Sequence, residues 1–230
     1  MKTTWKDQEH SRKRDDLIGR ANKPDLEKDM NVVKEAGIIY TLAFTGGFVI
    51  MSLELLGGRV MAPYFGSSIY VWGSIITTFM LSLAFGYLWG GRLSLNEPSL
   101  KKFGLIFFIA AFTMYPLTLI SDDVMNIVFN NIHDPRYGSL AASIILFTIP
   151  TVILGMISPY SVRLLVKTTQ SSGQTAGKLY FASTLGSALG TLMTSFYLVL
   201  WFEMFTILRL LTTILLLLGF IGILAHWKNR

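Results

Sequence analysis

Six apolar runs recur along this chain, each close to the ~20 residues a helix needs to cross the ~30 Å hydrocarbon core of a bilayer. They cover residues 37–56, 69–90, 103–120, 140–158, 179–200 and 205–225. A segment in lipid has no water to satisfy its backbone, so it closes its own hydrogen bonds as a helix. The runs therefore predict an all-α polytopic membrane protein with about six transmembrane helices. Composition agrees: 52% of residues are hydrophobic, 15% are charged, and the mean hydropathy is +0.51, outside the range of an ordinary soluble domain. The organisation expected is a charged N-terminal segment, 1–36, followed by a six-helix membrane domain, 37–230.

Charge sets an orientation. Seventeen of the twenty lysines and arginines fall in the N-terminal segment and alternate loops, or at the C-terminus, leaving Arg59, Arg136 and Arg209 on the other side. The positive-inside rule then predicts both termini in the cytoplasm of a cell carrying the protein in its inner or plasma membrane. The net charge of +6 reflects this topology and anionic lipid, and gives no argument for nucleic acid. The first 36 residues mix basic and acidic side chains and lack the apolar core of a signal peptide. A helix is expected from Pro24, with Leu26, Met30 and Val33 on one face, lying at the membrane interface or docking a soluble partner. With no cysteine, disulfides and thiolate metal sites are excluded.

The segment 51–72, MSLELLGGRVMAPYFGSSIYVW, carries the sharpest chemical signal. Glu54 lies within an apolar run, where an ionisable group is costly and points to function by default. Arg59 is its nearest cation in sequence, but i and i+5 do not share a helix face, so pairing would require a break at Gly57-Gly58. Pro63, Gly66 and Trp72 then mark a turn and an interface. Glu54 has two readings, a substrate-facing carboxylate and a charge paired for folding alone, and both stay open here. Glu203 and Arg209 are expected to pair at the surface.

Small residues mark helix contacts. Ser82, Gly86 and Gly90 recur at four-residue spacing, as do Ala182, Gly186, Gly190 and Thr194, and such rows let helices approach closely. Beside the second row, Ser183, Ser187, Thr191 and Ser195 place a hydroxyl on every turn. These either bond back to their own helix or line a cavity, with Ser187 and Thr191 the candidates for substrate contact. In the segment 121–137, Ser121 followed by two aspartates reads as the start of a short surface helix. Asp122, Asp123, His133 and Asp134 lack a persuasive metal-ligand spacing. No nucleophile–base arrangement and no G-x-G-x-x-G occur, so catalytic residues, metal and cofactor are all expected to be none.

Three runs on each side of the segment 121–137 suggest a 3+3 repeat, a common transporter plan. Ala62-Pro63-Tyr64 and Ser158-Pro159-Tyr160 end the first helix of each half. Gly86, Gly90 and Arg92 resemble the loop between helices two and three of major-facilitator transporters, though the acidic residue of that loop is not evident. The whole would then be half of such a transporter, and a homodimer would supply the rest. Arg92 is read as a topological anchor or a gating latch.

At Glu54, Arg59, Ala62-Pro63, Phe65-Gly66, Ser68 and Trp72 the chain resembles the membrane domain of the spermidine synthase-like (aminopropyltransferase-related) transmembrane proteins. The segments 86–92, Leu154-Gly155-Met156 with Pro159 and Arg163, and Gly177-Lys178-Leu179-Tyr180 through Gly186 and Gly190 extend the resemblance over most of residues 45–195. In that family the membrane part is often joined to a soluble domain that binds S-adenosylmethionine or its decarboxylated form. The chain stops at Arg230, so the resemblance implies a membrane component working with a separately encoded soluble aminopropyltransferase-like protein, or alone as a carrier.

The leading expectation is thus a membrane protein that binds or translocates a small polar or cationic substrate through Glu54, Arg59, Ser187 and Thr191. Pro63, Gly66, Trp72, Arg92, Pro159, Arg163, Gly186 and Gly190 would serve structure or gating. The competing expectation is a non-transporting scaffold that recruits a soluble enzyme. An integral enzyme acting on lipid lacks a catalytic constellation.

Overall fold

The computed structural model describes residues 5–228 except 167, with side chains described from residue 33 onward apart from 167, 226 and 228. The described residues are helical, without strands. In order they form α1 (Trp5–Phe65), α2 (Ile69–Leu93), α3 (Leu100–Met114), α4 (Leu117–Asn131), α5 (Pro135–Gly155), α6 (Ile157–Leu165) and α7 (Ser172–Met193). A π-helical turn (Thr194–Leu198), α8 (Val199–Trp201) and α9 (Met204–Lys228) complete the chain. Two compact units divide it, Met1–Ile38 and Ile39–Arg230. In the first, helix begins at Trp5, not Pro24; the face of Leu26 and Met30 and any docking surface there lie outside the described side chains.

Five helices are long and apolar enough to cross a bilayer: Val33–Phe65, Ile69–Leu93, Pro135–Leu165, Ser172–Trp201 and Met204–Ala225. Helices α3 and α4 pass the same test only as a pair, bent by 45° where they meet, and make a further crossing, third in chain order, if the pair is one span. The protein is therefore an all-α polytopic membrane protein with five to six crossings.

The boundaries depart from expectation where proline and glycine act. Helix α1 does not break at Gly57-Gly58 but continues to Phe65, because Pro63 falls in its last turn. Gly66, at φ +74°, then closes it by donating its N–H to the Ala62 carbonyl at 2.9 Å. The helix expected in the segment 121–137 is present but begins earlier: Pro116 marks the bend after α3, and α4 runs from Leu117 to Asn131. Ser121 starts no helix. It sits inside α4, 1% exposed, and donates to the Leu117 carbonyl. In the fourth crossing Pro159 cannot donate to the Gly155 carbonyl one turn back, and the helix is interrupted at Met156.

Glycines set which crossings pair. A Cβ on Gly186 or Gly190 of α7 would strike the main chain of Phe44 or Phe48 of α1. A Cβ on Gly86 or Gly90 of α2 would strike the main chain at Val152 and Gly155, or at Met156. Both pairs advance in the same direction, so first and fifth crossings run parallel, as do second and fourth. Third and sixth meet at Gly104 against Gly219 and Gly222, running antiparallel. Exchanging the first three crossings with the last three maps pair one–five onto pair four–two and pair three–six onto itself. That is the pairing pattern of a 3+3 repeat. Its register matches Phe44 and Phe48 with Val152 and Met156, so Pro63 and Pro159 are not equivalent positions.

Candidate functional site

Glu54 stands on α1 between two packed faces. Ser52 meets α7, accepting from the Thr194 hydroxyl at 2.9 Å and donating to the Gly190 carbonyl at 3.4 Å. Gly57, on another side, abuts the Phe147 ring of α5. Val49, Leu53, Leu56 and Val60 are buried, whereas Ile50, Met51, Glu54 and Gly58 are half-buried. The Glu54 carboxylate has no hydrogen bond and no ion pair among the described residues. One turn on, the Trp72 ring lies over Gly58, so close that a Cβ there would come within 2.8 Å of it. The edge of an indole ring is thus brought to the turn next to the carboxylate, a juxtaposition the sequence does not suggest because Trp72 belongs to α2.

Arg59 does not join Glu54. Helix α1 is continuous through both, so the side chains diverge, and Arg59 donates to the Val199 carbonyl at 3.3 Å. It lines a cavity of about 250 Å³ with Leu55, Thr194, Ser195, Val199 and Leu200. Ser187 and Thr191 do not join Glu54 either. The parallel register Phe44–Gly186, Phe48–Gly190 sets Ser187 level with Thr45 and Thr191 level with Val49. These lie nine and five residues before Glu54, about 13 Å and about 8 Å along the axis. Thr191 bonds back to the Ser187 carbonyl at 3.0 Å, and Ser187 packs against Gly47. The expected four-residue cluster is thus spread over more than two helical turns.

The remaining expected positions fall at the helix ends. Arg92 is exposed in the last turn of α2. Arg163, in the last turn of α6, shares a cavity of about 450 Å³ with Ser94, Pro159, Val162, Ser172 and Gly173 among others. Glu203 and Arg209 form no ion pair with each other; Asp134 pairs with Arg136 at 2.7 Å. Asp134 caps α5 by accepting the Arg136 N–H at 2.9 Å. Its side-chain bond to Arg136 holds the carboxyl below the usual carboxylate range. No group of three or more metal-binding side chains occurs among the described residues.

A buried hydroxyl seam between α2 and α5 escaped the sequence reading. The hydroxyls of Ser74 and Ser139 meet at 3.1 Å, while those of Thr78 and Thr151, both fully enclosed, have no partner among the described residues. The signal was present as Ser74, Thr78 and Ser82 at four-residue spacing, masked by the more conspicuous glycines.

Fold and site together define a multi-pass helical membrane protein with one unpaired carboxylate in its first crossing. No protein-family model matches the chain, and neither a curated protein nor a solved structure is similar to it.

Proposed function

We propose that this protein binds, or carries across the membrane, a small cationic substrate of the polyamine-like amine class, with Glu54 as the residue that receives the cation. A single observation carries the reading: a half-buried carboxylate inside a membrane crossing without an ion-pair or hydrogen-bond partner. A carboxylate held in a membrane crossing needs a countercharge or a hydrated cavity, and such groups mark substrate or ion pathways. The resemblance to the spermidine synthase-like membrane proteins favours the same substrate class, with a separate soluble transferase as the partner.

The test is binding of spermidine to the purified full chain in nanodiscs. Hydrogen bonds to charged groups contribute about 1.5–3 kcal/mol, so Glu54→Gln is expected to weaken binding roughly 10- to 100-fold without changing the elution profile. Glu54→Asp should retain part of the affinity. Equal affinity in wild type and Glu54→Gln would sink the proposal.

A further inference from the structure

Arg59 is left with most of its donors unused. A guanidinium carries five N–H donors, and the Val199 carbonyl takes one. No carboxylate pairs with it among the described residues; Glu203, four positions beyond Val199, does not reach it. The bond to Val199 also fixes its level in the membrane. Val199 belongs to the last turns of the fifth crossing, where the exposed aromatics Trp201 and Phe202 follow. Indole rings favour the boundary between hydrocarbon and headgroups, so Trp201 sets Arg59 at headgroup depth.

The cavity beside it is two-sided. Leu55, Val199 and Leu200 make an apolar wall, and Arg59 with Ser195 makes a polar one. The Thr194 hydroxyl is committed to Ser52, but that of Ser195 has no partner among the described residues. Both residues open the π-helical turn Thr194–Leu198, and Val199 follows directly after it. A planar guanidinium with free donors, a hydroxyl, an apolar wall and no protein anion match a phosphate ester at the membrane surface, with an acyl chain along the wall.

We propose that the cleft between the ends of the first and fifth crossings is a phosphate-binding site, with Arg59 and Ser195 holding the phosphate oxygens. The inference stands apart from the role of Glu54, which does not line this cleft. The phosphate belongs either to a phospholipid or to a free anion, and two arms of one experiment separate them. Native mass spectrometry of the full chain released from detergent containing phosphatidylglycerol reads the lipid. Phosphorus NMR line broadening of inorganic phosphate reads the free anion.

Wild type is expected to retain a lipid adduct, and Arg59→Gln to reduce it at least tenfold. Arg163→Gln, which removes the same charge elsewhere, should leave it unchanged. Leu55→Trp fills the apolar wall while keeping the guanidinium, so it should lose lipid but not inorganic phosphate; it also serves if Arg59→Gln fails to fold. Arg59-dependent phosphate broadening without lipid retention assigns the site to a free anion. Retention of both probes by Arg59→Gln, an equal loss in Arg163→Gln, or binding of neither probe to wild type overturns the proposal.

Discussion

Gly186→Val is expected to cost about 3 kcal/mol of stability and to remove most of the folded protein from a detergent extract. The position has no room for a side chain: a Cβ there would overlap the carbonyl of Phe44 and approach its Cα. Overpacking typically costs 1–3 kcal/mol when neighbouring side chains can shift. Here the obstacle is main chain inside a helix, so no rotamer change relieves it and the upper end applies. Against a total stability of ~5–15 kcal/mol that is a large fraction. Helix propensity cannot account for such a loss, because valine is the better helix former than glycine. Gly177→Val, on the same helix but with nothing within 4 Å of its Cβ position, is the control and should be nearly neutral. Gly86→Val should reproduce the loss on the second and fourth crossings. Unfolding of purified variants in mixed SDS micelles measures all three, and equal midpoints for Gly186→Val and Gly177→Val would refute the close-contact account.

The second large effect is expected at Tyr160. Its side chain is 0% exposed, stacks on Phe103 with ring planes 10° apart and centroids at 5.6 Å, and accepts the Ser99 N–H at 3.1 Å. It thereby ties α6 to the start of α3, where Ser99 caps the helix through the Lys102 N–H. Truncating a buried aromatic leaves a cavity that rigid helices fill poorly, and Tyr160→Ala should cost about 3–5 kcal/mol. Tyr160→Phe keeps the ring and removes only the hydroxyl, leaving one amide unsatisfied at about 1–3 kcal/mol. The same unfolding assay should therefore rank wild type above Tyr160→Phe above Tyr160→Ala. Identical losses for the two variants would mean that the hydroxyl, not the ring stack, holds α6 in place.

Class and crossings were legible in the sequence because lipid imposes one rule, a self-satisfied helix of fixed length, on every apolar run. The sixth crossing was found almost to the residue, 205–225 against Met204–Ala225. Boundaries failed where a proline sits near a run's end. Pro63 marks a turn by its residue type, yet a proline in a last turn gives up only one bond, and Gly66 makes the turn. Ser121 with two aspartates looked like a helix start; the chain there is already helical because Pro116, five residues earlier, had bent the crossing.

The site was less legible than the fold. Glu54 was visible as a charge among apolar residues, and its continuous helix settles that Arg59 is no partner. Ser187 and Thr191 could not be placed relative to Glu54 without the register between α1 and α7. That register is set by backbone contacts at Gly186 and Gly190, which spacing alone announces but does not pair.

The pairing of the first with the fifth crossing bears on how the chain is made. Ribosomes add about 5–20 residues per second, so residues 66–201 take on the order of ten seconds to follow α1. Until then the surface that receives Gly186 and Gly190 has no mate in the bilayer. The fourth crossing, which meets the second, is made about 2–7 s earlier. Synthesis thus makes the inner pair of crossings available to dock before the fifth can return to the first. An insertion factor that shields polar surfaces during synthesis would find its longest-lived client in α1, around Ser52.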